Sequence, residues 1–455
     1  MTMDRRNLLL RSAALTSGAL LISGRAAAAN SPAPGQAALA DAVSFGIDPS
    51  TSADQTQMLQ KAIERTATVG SVLHLPAGTY RCGTLGLPSG ARVTGVAGAT
   101  RLKFIGSGAF IVASRSNGIS VSGLMVDGGQ QLLDPAASDG LVTFSECTDI
   151  TLRDLTVMGS LLNGVTLRGC SGIVTGCTIT DCGATALLSV DAKGLTITGN
   201  RIERIGNNGI QVWRTEPGED GTRVAHNHVA RIQARAGGDG QNGNGINVFK
   251  AGGVQIEGNR ITDCAFSAIR ANSAFNVQII GNSCERMGEV AIYAEFAFEG
   301  AVIANNLVDR ASVGISVTNF NDGGRLAVVQ GNMLRNLSRV SASGGDQGVG
   351  ISVEADTAVT GNVVEGAERI GILAGYGAFR RDIAVTGNVV RSSPIGIGVS
   401  SDPGGGAVLV AQNLISGAVL GGIRLMDHET PVGADLARVG AEAANGIMVQ
   451  GNVSA

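Results

Sequence analysis

Aromatic side chains are scarce in this sequence: eleven Phe, three Tyr and one Trp make up 3% of 455 residues. Any place where several gather therefore stands out. Charge imbalance is nearly absent too, since the net charge is -3 and no basic run occurs beyond the N-terminus. That speaks against nucleic acid as a partner. No later stretch reaches the ~18 uninterrupted apolar residues of a membrane span. No Cys-x-x-Cys and no His-Cys cluster of metal spacing occurs, so no metal centre is expected. His226 and His228 flank one turn, where a pair of histidines reads as structural.

What is abundant is glycine, 67 of 455 residues, about twice the usual share. It falls at the corners of a repeat. Gly245-Ile246-Asn247-Val248 is answered by Ala268-Ile269-Arg270-Ala271, Ala291-Ile292-Tyr293-Ala294 and Gly314-Ile315-Ser316-Val317, at intervals of 23 residues. A second phrase runs between them: Ile256-Glu257-Gly258-Asn259 recurs as Ile279-Ile280-Gly281-Asn282 and Val302-Ile303-Ala304-Asn305. Neither phrase has the 3.6 spacing of a helix, so both read as short strands broken by a turn. A period of this length signifies a solenoid, in which each strand lies parallel to its copy at ~4.8 Å per coil. Asn at a corner suits a left-handed bend, and stacked Asn side chains can bond one another up the ladder.

Residues 1–29 read as an address. Arg5 and Arg6, followed by Asn7 and an apolar stretch over residues 12–22, precede Ala26 to Ala29. This resembles a twin-arginine export signal, with Leu10 in place of a basic residue. It implies the Tat translocase as a transient partner, a periplasmic or secreted mature protein and, with no Cys at the cleavage region, no membrane anchor. Residues 30–42 form a Pro/Ala-rich linker. After it, Asp54 opens a stretch in which Met58, Leu59, Ala62 and Ile63 share one helical face, followed by Leu73-His74-Leu75-Pro76-Ala77-Gly78-Thr79-Tyr80. This order is similar to the N-terminal cap of the pectate-lyase-like superfamily of right-handed parallel β-helices. Signal and repeat together also resemble a group of twin-arginine-exported repeat proteins, a likeness that adds no mechanism. The expected organisation is a cap with first coils at 43–118, β-helix repeats at 119–427 and a C-terminal coil and cap at 428–455, in which Ala434 to Ala444 form a short helix. About 13 coils follow from the corners Leu124, Leu155, Cys177, Asn200, Asn227, Asn259, Asn282, Asn305, Asn332, Asn362, Asn388, Asn413 and Asn452.

Three corner-to-strand steps exceed the usual nine residues: Leu124 to Gly140 takes 16, and Asn227 to Gly245 and Asn332 to Gly350 take 18 each. On the opposite side of the strand, residues 216–221 read as another loop. Such insertions gather round working surfaces. The seven cysteines read as small buried hydrophobes, with a Cys147–Cys170 bridge between neighbouring coils conceivable.

In Gly-Ile-x-Val the Ile and Val face inward, so x and the residue after Val face outward and stack into two columns. Their middle carries Gln211, Asn247, Arg270, Tyr293 and Ser316 in one column and Trp213, Phe249, Asn272, Glu295 and Glu354 in the other, with Arg214 and Lys250 at the edge. Rings beside amides and charges suit a sugar chain. In the superfamily resembled, this face is where polysaccharide binds and is cleaved, although its Asp-Asp, Asn-Thr-Asp and clustered calcium-binding aspartate signatures are absent here. The expected function is an exported carbohydrate-active protein that handles an acidic polysaccharide or envelope glycan by β-elimination or by binding alone. Arg270 and Lys250 would neutralise a uronate, while Tyr293 moves protons. Gln211, Trp213, Arg214, Asn247, Phe249, Asn272, Ser316 and Glu354 would bind the chain. Two alternatives stand beside it. In one, Glu295 and Glu354, ~9.6 Å apart by stacking, act as an inverting pair, whose usual separation is ~6.5 to 9.5 Å. In the other, the face is a non-catalytic scaffold whose Arg270–Glu295 pair and Trp213–Phe249 stack only support the solenoid. No cofactor is expected; calcium is compatible with the chemistry, but no motif for it is present.

Overall fold

The computed structural model describes residues 38–136, 138–238, 240–318, 323–439, 441–444 and 446–455. The leader read at 1–29, with Arg5 and Arg6, and most of the linker lie outside the described residues. Each coil of the repeat is made of three strands, as in Val290–Glu295, Glu299–Ala304 and Leu307–Ala311. We call these the front, flank and back strands. Each pairs in parallel with its copy in the next coil, Val313–Thr318, Arg325–Gln330 and Met333–Leu337. Front and flank stacks join into a sheet of thirty-two strands, and the back stack is a separate sheet of fifteen. The back stack therefore continues beyond the expected 13 coils: Gly78–Cys82 and Thr100–Phe104 add two rungs ahead of residue 119.

The core runs through the middle of the coils. Ile292, Ala294, Ile303 and Val308 of one coil are buried against Ile315, Val317, Val329 and Leu334 of the next. Burial of each large aliphatic side chain contributes about 2 kcal/mol. Branched residues at alternate positions fit this arrangement because their side chains pack well on a pleated surface.

At the corner between flank and back strands, buried asparagines form a continuous ladder. Asn282 is typical: its Oδ1 accepts from both the backbone N–H and Nδ2 of Asn259, at 3.0 and 2.9 Å. Its own Nδ2 donates to the Asn306 Oδ1 and to the Ile256 carbonyl of an earlier coil, both at 3.0 Å. The pattern runs from Asn200 to Asn452. Two details correct the sequence reading. The rung after Asn282 is Asn306, not Asn305, because the coil there is one residue longer, as the pairing of Ile279 with Ile303 shows. Nor do the ladder asparagines take the left-handed bend. The preceding residue does: Gly281 at φ 66° and Asn305 at φ 56°. One residue bends the chain, and its neighbour caps the bend.

The cap forms as expected, with helix Thr56–Val69 laid over the first coil. Asp54 Oδ1 accepts from the Thr56 N–H at 2.8 Å. Leu59, Ala62, Ile63 and Thr66 face the core, whereas Met58 is exposed. At the other end, among the described residues of 434–444, only Leu436–Val439 is helical, and Ala441–Ala444 instead folds back antiparallel on Ile447–Gln450. A hairpin, Gly421–Asp427 with Thr430–Val432, precedes it. Residues 216–219 are no loop either. They extend the front strand Asn208–Glu219, with a register shift between Trp213 and Gly218. All seven cysteines are buried and free, Cys147 and Cys170 included, so the conceivable bridge is absent. His226 sits at a bend with φ 54°, and the His228 Nδ1 lies 3.1 Å from the Arg201 Nη1.

Candidate functional site: a cleft on the front sheet

The two outward columns exist in the register expected: Gln211 beside Asn247, Asn247 beside Arg270, Arg270 beside Tyr293 and Tyr293 beside Ser316. They are not the open face that alternation implies. Gln211, Asn247, Glu295, Ser316 and Glu354 are all buried, because the long insertions fold over the front sheet. Gly240, in the insertion after Asn227, lies so close to Arg270 that a Cβ there would fall 1.4 Å from Nη1. Only glycine permits that approach.

Upstream, the expected binding residues mostly bind each other. The Trp213 indole N–H donates to Asn247 Oδ1 at 2.8 Å, and its ring meets Phe249 edge-on at 5.9 Å. Gln211 Oε1 accepts from the Thr185 hydroxyl, and Arg214 Nη1 donates to the Glu219 carbonyl. Lys250 Nζ lies 3.4 Å from the Thr215 carbonyl and 5.2 Å from the Phe249 ring centre.

Arg270 and Glu295 form a two-point ion pair, Nε to Oε1 at 2.5 Å and Nη2 to Oε2 at 2.9 Å. Asn272 Nδ2 donates a third bond to Glu295 Oε1 at 2.8 Å. With side-chain exposures of 12% and 1%, this is a buried pair and not a surface one. Burial alone would lower the guanidinium pKa, but the Glu295 bonds and charge, with Glu289 behind them, hold it above its ordinary value. Arg270 also lies over the Tyr293 ring, 5.2 Å from its centre. It positions that ring through Nε and Nη2, while its buried Nη1 makes no hydrogen bond among the described residues and lies 3.9 Å from Glu289 Oε2. Both Glu295 oxygens and the Arg270 Nε and Nη2 are thus committed to bonds within the protein, which counts against the expected uronate clamp and the Glu295–Glu354 hydrolytic pair.

Three expected residues, Tyr293, Ser316 and Glu354, line one cavity of about 240 Å³ beside this pair. Its floor is the front sheet, where Tyr293, Ser316, Ser352 and Leu373 follow one another coil by coil. Thr318 and Glu354 add the second column, and the Thr318 hydroxyl lies 3.4 Å from the Tyr293 oxygen. Ser341, Ser343 and Gln347 of the insertion after Asn332 form one wall. Burial raises the Tyr293 pKa, so its phenol stays protonated and able to donate at neutral pH.

Sequence reasoning missed the ends of this cleft. Glu289, Ser312 and Arg369 each stand one residue ahead of a front strand, where Val290, Val313 and Ile370 are in line through Val349. Reading the columns two steps earlier, four residues ahead of Tyr293, Ser316 and Leu373, would have found them. Tyr376 lies two residues beyond the front strand Ile370–Ala374. Glu429 had no local signal: it comes from the C-terminal hairpin and binds Arg369, 60 residues away, at 2.6 Å. The Tyr376 pKa is raised by burial and then by the charges of Glu429 and Glu354. The Ser312 Oγ is buried in the cleft wall and has no hydrogen-bond partner among the described residues.

A larger concavity, about 970 Å³, lies on the flank sheet. It is an open apolar strip through Val302, Val328, Ala358, Ala384, Leu409 and Met448, without the convergent polar groups of the cleft. Among the described residues no group of three or more His, Cys, Asp or Glu side chains could hold a metal ion.

The chain is similar to the N-terminal fragment of gene product 12 of bacteriophage phi29, with a TM-score of 0.56 and 14% identity, covering 91% of this chain and 71% of that one. The pre-mature form of the same phage protein gives 0.50 and 13%, covering 85% and 55%. The catalytic unit of a GH87 α-1,3-glucanase from Streptomyces thermodiastaticus aligns at a TM-score of 0.46 and 16% identity, covering 94% and 70%. At these identities the phage likeness shows a shared fold. No curated protein matches the sequence. Three overlapping segments, 106–240, 139–323 and 218–390, match the family described as right handed beta helix region. They span well over half of the sequence, and the chain belongs to that family of right-handed parallel β-helices.

Proposed function

We propose that this protein is an exported glycan-binding β-helix that seats a sugar chain in the cleft between Tyr293 and Tyr376. The observation that carries the reading is the composition of the cleft: two of the three tyrosines of the chain converge there with a row of hydroxyls and carboxylates. Tyrosine offers an apolar ring with a polar tip, which matches the alternating CH and OH surface of a pyranose. Binding is favoured over β-elimination, since Arg270 is held by Glu295 and Lys250 does not line the cleft. Export rests on the leader at 1–29, and fractionation of cells carrying Arg5→Lys with Arg6→Lys tests it.

Isothermal titration against a panel of neutral, acidic and amino-bearing oligosaccharides tests the cleft. At least one class is expected to bind saturably, and Tyr293→Ala or Tyr376→Ala to weaken it at least about tenfold, as loss of a buried ring contact should. The reading fails if no class binds, or if both variants bind as well as the parent protein.

A further inference from the structure

The back sheet carries a surface that the fold does not require. Its first outward column reads Thr178, Arg201, His228, Arg260 and Ser283 through the middle coils. From the next coil on it is apolar without a break: Leu307, Met333, Val363, Val389, Leu414 and Val453. Leu307, Met333, Leu414 and Val453 are between 47% and 60% exposed, and the two valines between them are half-buried. Polar residues fill the same position earlier in the stack, so the solenoid has no need of apolar ones there. Single exposed hydrophobes are ordinary, but six in line at ~4.8 Å make a stripe about 24 Å long, the kind of patch that marks an interaction site.

A charged column runs beside the stripe, two residues further along each back strand. It reads Asp309, Arg335, Glu365 and Arg391, with alternating signs, and then Ser416. Asp309 and Arg335 bond each other at 2.9 Å. Glu365 and Arg391 are exposed, and neither makes an ion pair among the described residues.

The two columns together fit a two-fold axis. It passes between the coils of Val363 and Val389, in the plane of contact and along the strands, so that a second copy lies face to face on the first with its coils running the opposite way. Val363 then meets Val389 of the other copy, Met333 meets Leu414, and Leu307 meets Val453. In the charged column Glu365 meets Arg391, twice by symmetry, and Arg335 falls opposite Ser416. No like charges face each other in either column, and the two charges without an ion pair find one. An axis along the solenoid would instead turn the charged column toward the bends at Gly331, Gly361 and Gly387, where nothing answers it. The strands of the two sheets stay aligned, as sheets packed face to face prefer. Six coils by one back strand is about 29 Å by 17 Å, which covers about 500 Å² on each copy, near the lower bound of a specific interface.

We propose that the protein forms a two-fold dimer through this face, the partner being a second copy of the chain. The contact uses the back sheets, so the front sheets and their clefts stay open, and the inference is independent of what the cleft binds.

Sedimentation of the full-length protein is expected to show a monomer–dimer equilibrium with a dissociation constant in the micromolar range, as a contact of this size gives. Val389→Lys sets an ammonium at the centre of the contact, twice by symmetry. It should weaken the dimer at least about tenfold and leave the melting temperature of the monomer as it is, since the position lies on the surface. Glu365→Arg should weaken the dimer as well, and Glu365→Arg with Arg391→Glu should restore it. The axis is tested by cross-linking. Met333→Cys and Leu414→Cys chains, mixed and treated with a bismaleimide too short to span three coils, ~14 Å, should join to each other and neither to itself. The seven native cysteines are buried and stay out of the reaction. A monomer at every concentration overturns the inference. So does a dimer indifferent to Val389→Lys, whose contact would lie elsewhere, or one in which each cysteine variant links to itself, which would have another axis. Species that keep growing with concentration overturn it too, because a two-fold contact closes at two copies.

Discussion

Glu295 shows how far a residue's setting can depart from its column. By alternation it faces outward, yet it is 1% exposed and held by Arg270 and Asn272. Removing one partner of such a pair strands a buried charge, whereas replacing both by apolar groups does not. Glu295→Ala is therefore expected to cost about 3 kcal/mol in urea denaturation, and Arg270→Met with Glu295→Leu to lie within about 1 kcal/mol of the parent. Equal losses in the single and double variants would show that the pair holds the fold through charge itself. The cysteines make a second residue-scale case. Burial pushes the Cys82, Cys182 and Cys284 thiols up to about 12, and Cys170 and Cys177 to about 11, from an ordinary 9.0. The folded state thus holds protons that the unfolded chain releases, so this stability is whole below about pH 9 and drains away as pH rises toward 12. A melting temperature that does not fall between pH 9 and pH 11 would contradict this. A thiol reagent at pH 8 should label no cysteine until the protein is unfolded.

The asparagine ladder is the element that the sequence announces most plainly, because a buried side chain with both donors and its acceptor engaged recurs wherever the bend recurs. An interior rung should matter more than an end rung. Asn282→Ala strips bonds from the Asn259 backbone N–H and the Ile256 carbonyl, two buried groups that each cost about 1 to 3 kcal/mol when left unmet. Asn452→Ala, at a partly exposed end, should cost less than half as much in the same thermal melt. Coils, cap helix and inward columns were legible for the same reason as the ladder: each is dictated by residues close in sequence or repeated at a fixed interval. The one-residue slip at Asn305 arose where two asparagines stand together and the period changes from 23 to 24. The cleft was half legible. Tyr293, Ser316 and Glu354 belong to the repeat, but burial of the face depends on insertions that carry no period. Glu429 reaches Arg369 through a hairpin 60 residues away, a contact that no local pattern encodes.

At the scale of the whole molecule, stability is passed from coil to coil, so the ends carry a disproportionate load. The helix Thr56–Val69 covers the first coil, and Leu59 and Ile63 pack into the same core as Leu73, Leu75 and Leu85. A chain starting at residue 71 would present that apolar end to water. Light scattering of such a truncation is expected to show association into species larger than the monomer, and a well-behaved monomer would mean the coils close their own end. The ladder has one more property: it ties each layer to both neighbours. Each asparagine lends its backbone N–H and one amide hydrogen forward to the next Oδ1 and the other amide hydrogen back to a carbonyl of the coil before it, so each newcomer settles donors and an acceptor left open by that coil. A chain wound from its N-terminus thus always finishes the previous layer by laying the next. Its growing tip is the only unfinished surface, like the step on a growing crystal face.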